Sequence, residues 1–229
     1  IRVPVEHPLE MNVSWEVVVE RLKTDDFGEL DYPQLFFDAF GDETITEDLT
    51  VKAIAQFIRT MISADSKFDK WRRGETDLTD QEYFGYQLFL KEGGDPEVNP
   101  GGEFGADCFH CHGTQMFMDN DFHNNGLNEE PFTDLGLGKV TNIASDNGKF
   151  KVPTLRNIEF SAPYMHDGRF ETLEEVVEHY NSGGEYSSTV DPLMKKLGVG
   201  LQLTNQEKQD LVAFLKTLTD TDFITSKKP

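Results

Sequence analysis

Cys108-Phe109-His110-Cys111-His112 places two thiols and two imidazoles within five residues. Two cysteines separated by two residues on one helical turn present both sulfurs to the same side, where they can add to the two vinyl groups of a porphyrin. The histidine that follows reaches the iron from that side. The pattern predicts one covalent haem c, bonded through Cys108 and Cys111 with His112 as an axial ligand. A disulfide or a thioredoxin-like dithiol competes with this reading, but neither needs His112, and no βαβ pattern surrounds the motif. Zinc would want two more ligands at metal spacing, and these two cysteines are the chain's only ones. His110, between the cysteines, points away from the iron and reads as a surface side chain. His7, His123 and His166 stand in polar stretches, where an exposed or hydrogen-bonding role outweighs an iron-ligand role. Because c-type haem is attached outside the bacterial cytoplasm, the motif also implies a periplasmic location.

The segments that must position this motif read as helices. Ser14 precedes Trp15–Thr24, in which Trp15, Val18, Val19 and Leu22 recur at helical spacing. Thr46 opens a longer helix with Glu47 and Asp48 in its first turn, where acidic side chains suit the positive end of the helix dipole. Val51, Ile54, Phe57, Ile58 and Met61 form its apolar stripe. Three capping boxes follow, Thr79-x-x-Glu82, Thr172-x-x-Glu175 and Thr204-x-x-Glu207, each ahead of apolar residues such as Leu211, Phe214, Leu215 and Leu218. Alternating strands are absent, so the expected fold class is all-α. Long polar loops at Gly93–Gly105 and Asn120–Gly148 separate the helices. A chain with so much irregular structure needs core from elsewhere, and a buried prosthetic group would supply it. A composition change near Arg72–Thr79 divides a helical segment, 1–75, from a haem-bearing one, 76–229.

Acidic residues outnumber basic ones by 42 to 21 over 229 residues, a net charge of −21, which argues against a nucleic-acid partner. No stretch approaches the roughly 20 apolar residues of a membrane span. Ile1–Met11 shows neither an initiator methionine nor a signal-peptide pattern and reads as the start of a processed or excised piece.

Three ordered segments carry a resemblance: Phe150–Asn157 (FKVPTLRN), Ser161–Phe170 (SAPYMHDGRF) and Thr172–Asn181 (TLEEVVEHYN). With the C-x-x-C-H motif they resemble the bacterial di-haem cytochrome c peroxidase and MauG family. Leu203–Leu218 is similar to that family's closing helix, and Pro4–Asn12 to the segment that follows its first haem domain. Family members carry two C-x-x-C-H motifs and this chain has one, so the resemblance covers the linker helices and the C-terminal, electron-transfer haem domain. It implies an upstream segment or chain bearing the peroxide-binding haem.

The resemblance also assigns residues. Candidates for the sixth iron ligand are Met118, Met165, His179, Tyr180 and Met194, and the family's distal position falls at Tyr180. Peroxidases carry methionine there and MauG tyrosine, so Tyr180 points to the MauG-like branch, with Met165 as the alternative. Methionine raises the haem potential, whereas a phenolate favours ferric and higher states. The family's calcium, held largely by backbone carbonyls, matches Ser161 and Pro163, with its remaining protein ligand expected upstream. Arg156 matches an arginine that could balance a haem propionate; an exposed role or a structural salt bridge is an equal alternative. Glu10 matches the acid facing the peroxidatic haem.

Three functions follow. The first is a piece of a periplasmic peroxidase or MauG-like oxidoreductase acting with peroxide. The second is a mono-haem electron-transfer cytochrome, and the third a degenerate sensor or structural haem domain. Under either of the first two, the acidic surface would attract a small basic redox donor such as a cytochrome, more weakly as salt rises. A homodimer is a further expected assembly.

Overall fold

The computed structural model describes residues 1–24, 28, 30–93, 105–194 and 197–225. The chain divides into two compact units, Ile1–Ile62 and Ser63–Pro229. In the first, α1 (Arg2–Glu6), α2 (Trp15–Thr24), α3 (Tyr32–Phe40) and α4 (Glu47–Thr60) follow in order. Asp31 caps α3 by accepting from the Gln34 amide at 3.1 Å, and Gly41 ends it in the left-handed region. Thr46 accepts from the Leu49 amide at 3.2 Å and starts α4 where the sequence predicts it. Val5, Trp15, Phe36 and Ile45 are buried, but most of the α4 stripe is not: Ile54, Phe57, Ile58 and Met61 are 37–53% exposed.

The second unit contains α5 (Lys67–Arg72), α6 (Asp80–Leu90), α7 (Phe109–His112), α8 (Leu137–Thr141), α9 (Leu173–Ser182), α10 (Asn205–Lys216) and α11 (Thr221–Thr225). All three predicted capping boxes form, starting α6, α9 and α10, and a fourth built from Ser66 and Asp69 starts α5. Among the described residues the strands are β1 (Phe122–His123) and β2 (Phe150–Lys151), antiparallel with His123 opposite Phe150. Helices thus dominate, as expected. The Asn120–Gly148 stretch holds β1 and α8 rather than unbroken loop, and residues 94–104 of the other predicted loop lie outside the described residues.

α6 lies along α10 at very close range. A Cβ at Gly85 would sit 1.9 Å from the Asp210 carbonyl oxygen, so the contact requires glycine there. Around it Phe68, Phe89, Phe117 and Phe214 pack edge-to-face or tilted with centroids 5.1–6.3 Å apart, and Phe214 is wholly buried. Phe68 belongs to α5, and its amide donates to the Thr217 carbonyl at 3.0 Å. The Asp220 carboxylate also accepts the Ala64 and Asp65 amides at 3.0 Å each. These bonds put α5 in the second unit, so the division falls at Ile62, ahead of the composition change at Arg72–Thr79.

Candidate haem-attachment site

Cys108 and Cys111 are separate thiols on and beside α7, and Cys108 packs with Phe109, Leu155 and Leu201 against the buried core. Burial pushes the Cys108 thiol up to about 12, and burial beside Asp119 and Asp191 pushes Cys111 to about 11. Thiol–disulfide exchange needs the opposite, a depressed thiol pKa, so the surroundings disfavour a thioredoxin-like pair. His112 Nδ1 donates to the Phe117 carbonyl at 2.7 Å. That bond places the proton on Nδ1 and leaves Nε2 as a lone-pair donor, the arrangement a metal-bound imidazole requires. Burial lowers the His112 pKa, which keeps the ring neutral.

A brace supports the Phe117 loop. Arg156 donates to Asp69 through both terminal guanidinium nitrogens, at 2.8 and 3.0 Å, and to the Gln115 carbonyl at 3.0 Å. Its guanidinium also lies 5.8 Å from the Phe117 ring centroid. Of the roles open to Arg156 on sequence, the structural salt bridge is the one formed here. Asp69 at once caps α5 and anchors the loop that orients His112.

Tyr180, near the C-terminus of α9, turns its hydroxyl inward, where Asn125 Nδ2 donates to it at 3.1 Å. Burial pushes the phenol up to about 12. The Asn125 bond opposes that rise, and the nearby Cys108 and Cys111 add to it. Once the sulfurs are thioethers they no longer titrate, and their part of the rise disappears. Met165, at φ 71°, brings its Sδ within 3.6 Å of the same Asn125 amide. His179 Nε2 donates to the Asn125 carbonyl at 3.1 Å. Met118 is held through its backbone by Thr114, and Met194 is partly buried on a separate turn. The structure therefore gathers Tyr180, Met165 and His179 around Asn125.

His123 lies between two carboxylates, Asp119 on Nε2 at 2.8 Å and Asp191 on Nδ1. Although Cys111, Asp119 and His123 could share a metal ion by distance, both ring nitrogens of His123 are already engaged. His166 stacks on Phe150 with centroids 3.6 Å apart, and His110 pairs with Glu92 at 3.2 Å. Ser161 and Pro163 are exposed, and the Ser161 hydroxyl donates to the Ile158 carbonyl at 3.0 Å. Glu10 is exposed in the first unit, with His7 3.7 Å away. Sequence reading missed Asn125, Asp69 and the His123 clamp; only the cap position of Asp69 carried a local signal.

The donor set fits a covalent haem. It offers two sulfurs at the attachment spacing beside apolar side chains, a neutral imidazole with a free nitrogen, and a buried phenol with an aligned hydrogen-bond donor.

A family model described as di-haem cytochrome c peroxidase matches residues 1–77. The methylamine utilization protein MauG of Methylorubrum extorquens is 37% identical over 95% of this chain and 56% of its own length. Cytochrome c551 peroxidase of Nitrosomonas europaea is 32% identical over 94% of this chain and 56% of its own length. The chain thus spans a little over half the length of these relatives. The crystal structure of a MauG-like protein associated with microbial copper homeostasis superposes with a TM-score of 0.80 at 35% identity, covering 96% of this chain and 67% of that one. At 20% identity the diheme peroxidase BthA of Burkholderia thailandensis shares the fold, with a TM-score of 0.63 over 97% of this chain and 63% of its own. With identity at this level across nearly its whole length, the chain belongs to the di-haem cytochrome c peroxidase and MauG family.

Proposed function

We propose that Ser63–Pro229 is a cytochrome c-type domain that carries one haem c and relays electrons within a periplasmic peroxidase or MauG-like oxidoreductase acting with peroxide. The observation that carries this reading is His112, neutral and buried, with Nδ1 committed to the Phe117 carbonyl directly after the Cys108–Cys111 pair. Bound there, haem c supplies a one-electron redox centre. Cys108 and Cys111 would hold it, His112 and Tyr180 would be the iron's protein ligands, and the Arg156–Asp69 brace keeps the His112 loop in place. With both residues as ligands this iron would offer peroxide no position, so reduction of the O–O bond would belong to a second haem on an upstream segment or chain. Glu10 is the acid–base group toward that haem, and the exposed Ile54, Phe57, Ile58 and Met61 support a covering partner for the first unit. A calcium ion held by the Ser161 and Pro163 carbonyls completes the assembly. The net charge of −21 suits a small basic cytochrome as donor.

Intact mass with an optical spectrum of the full-length protein tests this reading. We expect haem that survives acid–acetone extraction, and a Tyr180→Phe variant with an altered ferric spectrum while Met165→Leu stays close to the parent. A bare polypeptide mass after extraction would refute covalent attachment, and the reverse pattern in the two variants would make Met165 the ligand.

A further inference from the structure

Three of the five candidate distal ligands meet at one residue that carries no motif. The Asn125 side-chain amide donates to Tyr180 Oη at 3.1 Å and lies 3.6 Å from Met165 Sδ, while its backbone carbonyl accepts from His179 at 3.1 Å. The backbone that carries this amide is held firmly. Its neighbour Asn124 is 3% exposed and donates to Ser187 and Thr189 at 3.0 Å each, and the Asn124 Oδ1 accepts the Gly126 amide at 3.0 Å. Backbone bonds from Asp191 to the Asn124 carbonyl (2.9 Å) and from Glu185 to the Gly126 carbonyl (2.7 Å) pin the segment on both sides. These bonds fix the backbone that carries Asn125, so its amide leaves Tyr180 only by turning its own side chain and giving up the bond to Oη.

We propose that Asn125 is a positioning residue that selects Tyr180 over Met165 and sets its strength as an iron ligand; the inference rests on the reading of Tyr180 as the distal ligand. An amide N–H has no lone pair to offer, so its bond to Oη can only stabilise negative charge on that oxygen. A thioether is a weaker acceptor and lies farther off, so the better bond goes to the phenol. When the iron is reduced it draws less charge from its ligand, more charge stays on the oxygen, and the Asn125 bond strengthens. The bond therefore favours the reduced state and raises the midpoint potential of this haem. It also lowers the energy of the phenolate electrons, which moves the ligand-to-iron charge-transfer absorption to shorter wavelength.

The test uses the haem-loaded full-length protein. Asn125→Leu removes the donor at similar volume. We expect the charge-transfer band to move to longer wavelength and the reduced-to-oxidised ratio at a fixed poise to fall about tenfold, which is about 59 mV for one electron. Asn125→Gln keeps an amide and should recover part of both changes. Asn125→Asp replaces the donor by a carboxylate and should shift both further in the same direction, and it decides the matter should the leucine variant not fold. Tyr180→Phe separates the two readings. If it abolishes the band while Asn125→Leu and Asn125→Asp keep the parent's band and potential, the Asn125 proposal is overturned and the ligand stands. If Tyr180→Phe itself changes neither, the ligand reading fails, and the proposal fails with it.

Discussion

Arg156→Met removes one half of an ion pair whose side chains are 9% and 13% exposed and whose two bonds measure 2.8 and 3.0 Å. Breaking such a pair costs about 3–5 kcal/mol, because the remaining charge is left buried without its partner. Asp69 keeps the Ser66 amide and hydroxyl at 3.0 and 2.8 Å, so it is not stranded, and we expect the lower end, about 3 kcal/mol. For a unit of this size that is a fall of about 6–12 °C in Tm. The loss should depend on pH. Burial raises the Asp69 pKa, but the Arg156 and Ser66 hydrogen bonds outweigh it and hold the folded-state value below the ordinary one. A carboxylate with a depressed folded pKa contributes its stability above the unfolded value, about 3.9, and loses it as pH falls through the folded value. The gap between parent and variant is therefore full at pH 7 and narrows below about pH 4. Urea and thermal unfolding of the haem-loaded protein, followed by circular dichroism at pH 7 and pH 3, measure it. A loss below about 0.5 kcal/mol at pH 7, the scale of an ordinary surface substitution, or an equal gap at both pH values, would refute the reasoning.

His123→Gln should cost about 1.5–3 kcal/mol near pH 6 and less near pH 9. Burial lowers the His123 pKa, but Asp191 and Asp119 raise it further, so the clamp's contribution is present below the unfolded value and fades as pH rises through the folded one; chemical denaturation at the two pH values compares them. Gly85→Val should separate α6 from α10 and cost about 1–3 kcal/mol or more, read as a lower Tm, because its Cβ has the Asp210 carbonyl 1.9 Å away. In the full-length protein Glu10→Gln should slow peroxide turnover by roughly 10²–10⁴ while leaving the spectrum of the haem on Cys108 and Cys111 unchanged; a normal rate would remove Glu10 from proton transfer.

The sequence by itself determined the features whose causes are local. Cys108, Cys111 and His112 are legible because attachment chemistry needs that spacing within one turn. The caps at Thr46, Thr79, Thr172 and Thr204 are legible because each bond joins residues three apart. The caps of α3 and α5 were equally local but went unread because both depart from the usual Ser/Thr-x-x-Glu/Gln box: Asp31 puts aspartate at the cap ahead of Gln34, and Ser66 uses Asp69 where the usual box has Glu. For α4, periodicity identified a helix but not its surroundings, since the spacing of Ile54, Phe57 and Ile58 is the same whether or not something covers them. Tertiary structure alone decided the rest. Arg156 meets Asp69 across 87 residues, Tyr180 meets Asn125 across 55, and His123 meets Asp191 across 68. A hydrogen bond between distant segments imposes no spacing on either one, so nothing in Asn125's own neighbourhood marks it. Its partner is fixed only when α9 packs beside the buried Asn124 turn.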